Sequence, residues 1–138
     1  MKGFCTATAI GVLGILVLRP EPRAQEAPGD AISRGRYIAQ HVAMCVECHT
    51  PRDSAGDRIA TRLFHGAPIP VRSPFAAQDW AFRAPHIAGL PGYTREQAVR
   101  LLIEGVTASG GTPRPPMPPF RMKRDDAEAV AAFLKSLE

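Results

Sequence analysis

Residues 44–50 read MCVECHT and place two cysteines and a histidine within five positions. Cys45 and Cys48 stand three apart, a spacing that puts both side chains on one face of a helical turn. His49 follows directly, so an imidazole belongs to the same turn. Such a set can hold a metal ion, form a redox-active pair or attach a planar cofactor through two thioether bonds.

The order Cys-x-x-Cys-His favours the covalent attachment of haem c. Cys45 and Cys48 can add across two vinyl groups on one edge of the ring, and His49 can ligate the iron from the proximal side. A thioredoxin-like pair opens a helix after a strand, whereas this motif closes a predicted helix with no strand nearby. A zinc site would need a second Cys-x-x-Cys or His-x-His pair. A plain disulfide remains an alternative.

A second informative stretch, residues 114–120, reads RPPMPPF and holds Met117 between two pairs of prolines. Proline fixes its own φ and pushes the preceding residue into extended geometry, so this loop is stiff. A stiff loop can hold a thioether against iron, and thioether sulfur favours the reduced metal. The sequence therefore predicts Met117 as the sixth ligand. The other candidates are His41, Met44, His65, His86 and Met122.

The first 24 residues differ from the rest. Lys2 precedes an uncharged apolar run, residues 4–18, that ends at Arg19. This run matches the apolar segment of a secretory signal and is shorter than the about 20 residues that a membrane span needs. We predict that residues 1–24 are a cleaved signal peptide, with a retained inner-membrane anchor as the alternative. Residues 25–138 would then form one periplasmic domain that touches the membrane only if the anchor is retained.

The exported part has an almost balanced charge. Past Ala24 the sequence carries 14 Lys and Arg against 12 Asp and Glu, and Cys45 and Cys48 are the cysteines that remain. A scattered excess of this size does not favour nucleic acid as a partner. Ten of the 14 prolines lie in residues 68–119, which predicts mainly turns and loops there.

Helical periodicity is visible in three segments, so the predicted fold class is all-α with long Pro-rich loops. The first helix is expected from Asp30, as its N-cap, to Cys48. Its expected inward face comprises Ile32, Tyr37, Ile38, Val42 and Cys45. The second helix begins at the capping box Thr94–Gln97 and stops at Gly105.

The third helix is expected to begin at Asp125, with Glu128 completing a capping box. Its predicted apolar face comprises Ala127, Val130, Ala131, Leu134 and Leu137. No segment between Arg52 and Gly92 alternates as a strand does. Three short helices cannot easily enclose such loops, so a large planar cofactor is expected at the centre.

Taken together, these motifs resemble a class I c-type cytochrome domain from Gly35 onward. The resemblance is carried by GRYIA at 35–39, CVECHT at 45–50, GYTREQAVRLLIEGV at 92–106 and MPPFRM at 117–122. It implies the cytochrome c-like fold, with three main helices around a covalent haem. It also implies Met117 as axial ligand, Met122 at the entry to the last helix, and a crossing of the first and last helices. In that crossing Gly35 and Tyr37 would meet Phe133 and Leu134.

Several further residues are candidates for contacts with the haem. Trp80, Arg72 and Arg83 could donate to its propionates, since buried carboxylates need donors, with a solvated surface charge as the alternative for each arginine. The carbonyl of Pro68 or Pro70 is expected to accept the Nδ1–H of His49 and orient the ring.

The predicted function is one-electron transfer at a single haem c with His/Met ligation, without substrate chemistry. The chain would act as a periplasmic carrier or as the haem subunit of a redox complex. Its partners would be transient: a dehydrogenase, an oxidase or another cytochrome. One alternative is a haem peroxidase or gas sensor in which Met117 leaves the iron, with His65 or His86 as the distal acid–base group. Another is a redox-inert Cys-x-x-Cys protein without haem.

Overall fold

Helices are the main regular elements of the computed structural model, which describes residues 28–137. The elements are α1 (Pro28–Tyr37), a π-helical segment (Ile38–Val42), α2 (Cys45–His49), a 3-10 turn (Ala60–Arg62), α3 (Arg95–Glu104) and α4 (Arg124–Lys135). The predicted helical fold is confirmed. The predicted signal peptide, residues 1–24, lies outside the described residues. Within 28–137, no helix is both long and apolar enough to cross a membrane.

A small antiparallel ladder joins the two ends of a long loop. Strands β1 (Ala67–Pro68) and β2 (Arg83–Ala84) pair with Ala67 opposite Ala84. The prediction that no sheet forms between Arg52 and Gly92 is therefore wrong, because β1 and β2 pair in this region. Each strand has only two residues, too few for alternation to be visible in the sequence.

The first helical stretch is less regular than predicted. α1 already includes Pro28 and Gly29, so Asp30 lies inside the helix and the predicted N-cap at Asp30 is wrong. The helix then widens into the π-helical segment, closed by the Ala43 N–H donating to the Ile38 carbonyl at 2.8 Å. Met44 adopts a left-handed φ of 54° and ends the stretch. α2 is thus a separate turn that carries both cysteines and His49.

This widening changes which side chains face inward. A π-turn inserts a residue relative to the α-helical repeat, so the residues beyond it are rotated about the axis. Ile38 and Cys45 are buried as predicted, and Ile32 is partly buried against the core. Val42, the last residue of the π-helical segment, is 60% exposed. Tyr37 is also 60% exposed, but it precedes this segment and follows the register of α1. Their predicted inward orientation is wrong.

The boundaries of α3 follow the sequence signals. The Thr94 side chain accepts the Gln97 N–H, while the Gln97 side chain accepts the Thr94 N–H, which completes the predicted capping box. Gly105 ends the helix in left-handed geometry, with φ of 75°. A residue without a Cβ adopts this conformation at little cost. Both predictions are confirmed.

The start of α4 differs from the prediction. Its N-cap is Lys123, with no side-chain cap, and the helix begins at Arg124. Asp125 lies in the first turn, where a carboxylate is favourable near the helix N-terminus. Glu128 does not form a capping box and instead lies 3.6 Å from the Arg124 guanidinium. The apolar face is as predicted, with Ala127, Val130, Ala131 and Leu134 buried and Leu137 partly buried.

Gly35 allows α1 and α4 to cross at close range. A Cβ built on Gly35 would lie 1.9 Å from the Ala129 carbonyl oxygen and 2.9 Å from the Phe133 Cβ. The predicted meeting of Gly35 with Phe133 is confirmed. Tyr37, in contrast, points largely into solvent. The crossing is reinforced by an ion pair of 2.6 Å between Arg34 and Asp126.

We expect Gly35→Ala to destabilise the protein by about 3 kcal/mol or more, since the added methyl group meets backbone atoms that cannot move without separating the helices. The measurement is urea unfolding of the protein. Gly29→Ala is the matched control on the same helix, because no described residue outside this stretch of the helix lies within 4 Å of its Cβ position. The control is expected to be neutral or slightly stabilising. Equal losses for the two variants would contradict a close crossing at Gly35.

Candidate haem site

A cavity of about 330 Å³ lies between α2, α3, α4 and the long loops. Cys45, Cys48 and His49 border it from α2, and Met117 borders it from the Pro-rich loop. Most of the remaining wall is apolar and includes Ile87, Leu90, Leu102, Val130 and Leu134. The structure therefore brings together four predicted site residues that the sequence separates by up to 72 positions.

The two cysteine side chains lie in different surroundings. Cys45 is buried, Cys48 is exposed and the two are not bridged. Burial raises the pKa of the Cys45 thiol to about 11. A redox-active Cys-x-x-Cys pair needs a lowered pKa on its attacking thiol. The environment of Cys45 thus disfavours thiol–disulfide exchange and suits a thiol that is consumed in a thioether bond.

One ring nitrogen of His49 is fixed by a hydrogen bond to the backbone. Its Nδ1–H donates to the Pro85 carbonyl at 2.7 Å, so Nε2 is the nitrogen left for a metal. Burial lowers the pKa of His49, partly offset by this bond, which keeps the imidazole neutral and able to act as a ligand. The predicted acceptors, Pro68 and Pro70, are not used. β1 and β2 pair so that the residue after β2, rather than the residues near β1, faces the ring.

Gly66 holds the segment after β2 in place, and the sequence reasoning missed it. Its N–H donates to the His49 carbonyl at 2.7 Å. A Cβ at Gly66 would lie 2.7 to 2.8 Å from backbone atoms of residues 84–86, and its φ is +78°. Close approach and positive φ both require glycine. Gly66 therefore brings the Pro85 carbonyl to the histidine ring. The only signal in the sequence is a glycine just before a short strand.

Met117 and Met122 have different environments. Met117 borders the cavity, and its N–H donates to the Arg114 carbonyl at 3.3 Å in a turn. Met122 does not border the cavity and is partly buried against the helical core, with its N–H donating to the Leu102 carbonyl at 3.1 Å. Among the other candidate ligands, Met44 and His86 border the cavity, whereas His41 and His65 do not. The rings of His65 and His86 stack with centroids 4.6 Å apart.

Of the three residues predicted to contact propionates, one borders the cavity. Arg83 lies on β2 at the wall. Trp80 lies outside the lining and donates its indole N–H to the Val71 carbonyl at 3.0 Å. Arg72 is exposed and also lies outside the lining. Arg114, which the sequence reasoning did not consider, borders the cavity and lies 3.4 Å from Asp79.

These residues fit a haem c group. The apolar wall suits a flat hydrophobic ring, and Cys45 and Cys48 offer two thiols on one turn at its edge. His49 presents a neutral nitrogen donor, and Met117 a soft sulfur donor. A family model described as "Cytochrome c" matches residues 32–138. The chain belongs to the cytochrome c family. This cytochrome therefore transfers electrons through a c-type haem rather than catalysing substrate chemistry, as its sequence predicts.

A curated relative agrees with this assignment. The chain is 29% identical over 140 residues to the "Alcohol dehydrogenase (quinone), cytochrome c subunit" of Gluconobacter oxydans (strain 621H). The match covers 96% of this chain and 26% of the relative. The cytochrome thus spans about a quarter of the length of that subunit.

We expect Gly66→Ala to destabilise the haem-loaded cytochrome by about 2 kcal/mol or more, because the methyl group meets the backbone that carries the Pro85 carbonyl. Gly110→Ala is the control: it has a φ of +87° but nothing within 4 Å of its Cβ position. The control should show only the cost of positive φ, about 1 kcal/mol. Urea unfolding monitored by haem absorbance measures both. Equal losses would indicate that Gly66 matters only for its φ.

Proposed function

We propose that this cytochrome carries one electron at a single haem c attached through Cys45 and Cys48, with His49 and Met117 as axial ligands. The observation that carries the proposal is that all four side chains border one largely apolar cavity. Haem supplies a reversible one-electron couple when bound. The residues of the chain hold the group, orient its ligands and limit the access of water.

Each side chain has a distinct role in the proposal. Cys45 and Cys48 fix the edge of the ring through thioether bonds. His49 ligates through Nε2, and its bond to the Pro85 carbonyl fixes the plane of the imidazole and makes the ligand more basic. Met117 supplies the thioether that favours reduced iron, and the apolar wall adds to this preference by disfavouring charge. Arg83 is available to the propionates at the wall. Trp80 and Arg72 would need to move to reach them.

The proposed partners are other redox proteins. The relative from Gluconobacter oxydans is named as the cytochrome c subunit of an alcohol dehydrogenase (quinone), which supports a dehydrogenase as one partner. An oxidase or another cytochrome is proposed as the other partner. The cytochrome would work as a free carrier or as a haem subunit of such a complex. We place it in the periplasm on the basis of the signal-like residues 1–24.

We expect one haem per chain, covalently attached to the protein. Acid–acetone treatment should leave the colour with the protein, since thioether bonds survive it. The intact mass should equal the chain from a start between Gln25 and Pro28 plus one haem. Extraction of the colour, or a mass without haem, would refute attachment at Cys45 and Cys48. A mass that includes residues 1–24 would instead show a retained leader and leave the haem assignment intact.

Replacing Met117 tests the sixth ligand. Met117→Ala should abolish the weak red charge-transfer band of oxidised iron–thioether ligation and lower the reduction potential. It should also let carbon monoxide or cyanide bind readily, because one axial position becomes open. The measurements are the visible spectrum, a potentiometric titration and ligand binding.

Met122→Leu is the matched control for this experiment. The substitution keeps the side-chain volume, so it should cost less than about 1.5 kcal/mol of stability and leave the red band in place. Loss of the band in Met122→Leu but not in Met117→Ala would reverse the assignment. If the band is present in wild type and survives both substitutions, Met44 is the remaining thioether at the cavity. If wild type has no such band, His86 is the ligand to test, because it borders the cavity and His65 does not.

A further inference from the structure

An ion cluster lies on the haem-attachment turn itself. Glu47 stands between Cys45 and Cys48, and its two carboxylate oxygens are bound by different arginines. Arg52 donates from Nη2 to Oε2, and Arg58 donates from Nη1 to Oε1. Arg52 also donates from Nη1 to the Gly56 carbonyl at 2.8 Å. Two cations thus surround one anion.

The loop that carries the arginines is held by its own backbone bonds. The backbones of Arg52 and Arg58 form an antiparallel bridge. Within the turn between them, the Asp53 carboxylate accepts the N–H groups of Ala55 and Asp57 at 2.9 and 3.0 Å. The arginines are therefore positioned before they meet Glu47, which lowers the entropy lost in forming the cluster.

We propose that Glu47, Arg52 and Arg58 form a fixed cluster of net positive charge that raises the reduction potential of the haem. The proposal rests on attachment through Cys45 and Cys48, as proposed above, and is independent of the identity of the sixth ligand. The sequence placed these residues in no functional role.

Reduction of the haem changes the net charge of the site. One electron from a reduced partner protein enters the site, so the charge of the site falls by one, and no proton or covalent bond is exchanged. A fixed positive charge nearby favours the state with the lower positive charge. The cluster is close to the proposed haem because Glu47 belongs to the attachment turn. Glu47 stands between the two attachment cysteines and two positions before His49. Its side chains are 33 to 44% exposed, so salt should weaken the effect.

Two single substitutions should shift the midpoint potential in opposite directions. Glu47→Gln removes the anion, leaves two cations and should raise the potential. Arg58→Gln leaves one cation and one anion and should lower it. Arg58 is chosen because its side chain binds Glu47 alone among the described residues, whereas Arg52 also binds the loop carbonyl. Potentiometric titration of the haem-loaded variants measures both shifts.

Two further variants separate charge from structure. The double variant Glu47→Gln/Arg58→Gln restores the net charge of the cluster although the ion pair is gone, so its potential should return close to that of wild type. Arg58→Lys keeps the charge with altered hydrogen-bond geometry and should also stay near wild type. If Arg58→Gln does not fold, the proposal is decided by the potential shift of Glu47→Gln measured against that of Asp126→Asn.

The ion pair between Arg34 and Asp126 provides matched controls. Arg34 and Arg58 are 43% and 42% exposed, and Asp126 and Glu47 are 31% and 33% exposed. Arg34 lies on α1, which contributes no residue to the cavity wall. Arg34→Gln and Asp126→Asn remove the same charges at similar exposure away from the attachment turn. Their potential shifts should be smaller than those of the cluster variants.

Opposite shifts that exceed the controls, shrink with added salt and cancel in the double variant would establish the proposal. Shifts of the same sign in both single variants, shifts no larger than in the controls, or a double variant that differs more from wild type than either single variant would overturn it. In the last case the cluster would be a structural clamp. The colour retained after acid–acetone treatment reports attachment separately, so failure of the proposed haem linkage is distinguishable from failure of this proposal.

Discussion

The hydrogen bond between His49 and the Pro85 carbonyl joins the attachment turn to the segment that follows β2. It fixes the ring plane of the histidine and directs Nε2 away from Pro85. The bond exists because Gly66 binds the His49 carbonyl and allows the backbone of residues 84–86 to approach. The small ladder between β1 and β2 holds these same residues in register. A loop contact thus determines the geometry of the proposed ligand.

The helices support this arrangement from the other side. α1 and α4 cross at Gly35, and α3 packs on α4, so that Leu102, Val130 and Leu134 form an apolar wall. The Pro-rich loop contributes Met117 to the same cavity, and the loop before β2 is tied to it by the Ala81 N–H, which donates to the Pro115 carbonyl at 2.8 Å. Both the helices and the Pro-rich loops therefore contribute residues to the wall of one cavity. A site built from rigid elements rearranges little when an electron enters, which suits electron transfer.

Local signals in the sequence predicted local features well. The capping box at Thr94–Gln97 and the stop at Gly105 depend on bonds between residues that are close in the chain, and both are present. The predicted start of α4 was wrong because Asp125 and Glu128 were interpreted as a capping box, whereas Asp125 lies in the first turn and Glu128 lies near Arg124. The π-helical segment was also missed, and with it the outward orientation of Val42. A single extra residue in a helix leaves no clear mark in an apolar pattern.

The sequence by itself determined which side chains the proposed haem chemistry can use, because Cys45, Cys48 and His49 lie within five positions and the prolines around Met117 restrict their own backbone. It also indicated the family and the helical class. Only the tertiary structure decided that Pro85 orients the histidine, that Arg83 and Arg114 reach the cavity while Trp80 and Arg72 do not, and that Glu47 meets two arginines. These contacts join loops without periodicity, and their partners depend on the path of the backbone in space rather than on spacing along the chain.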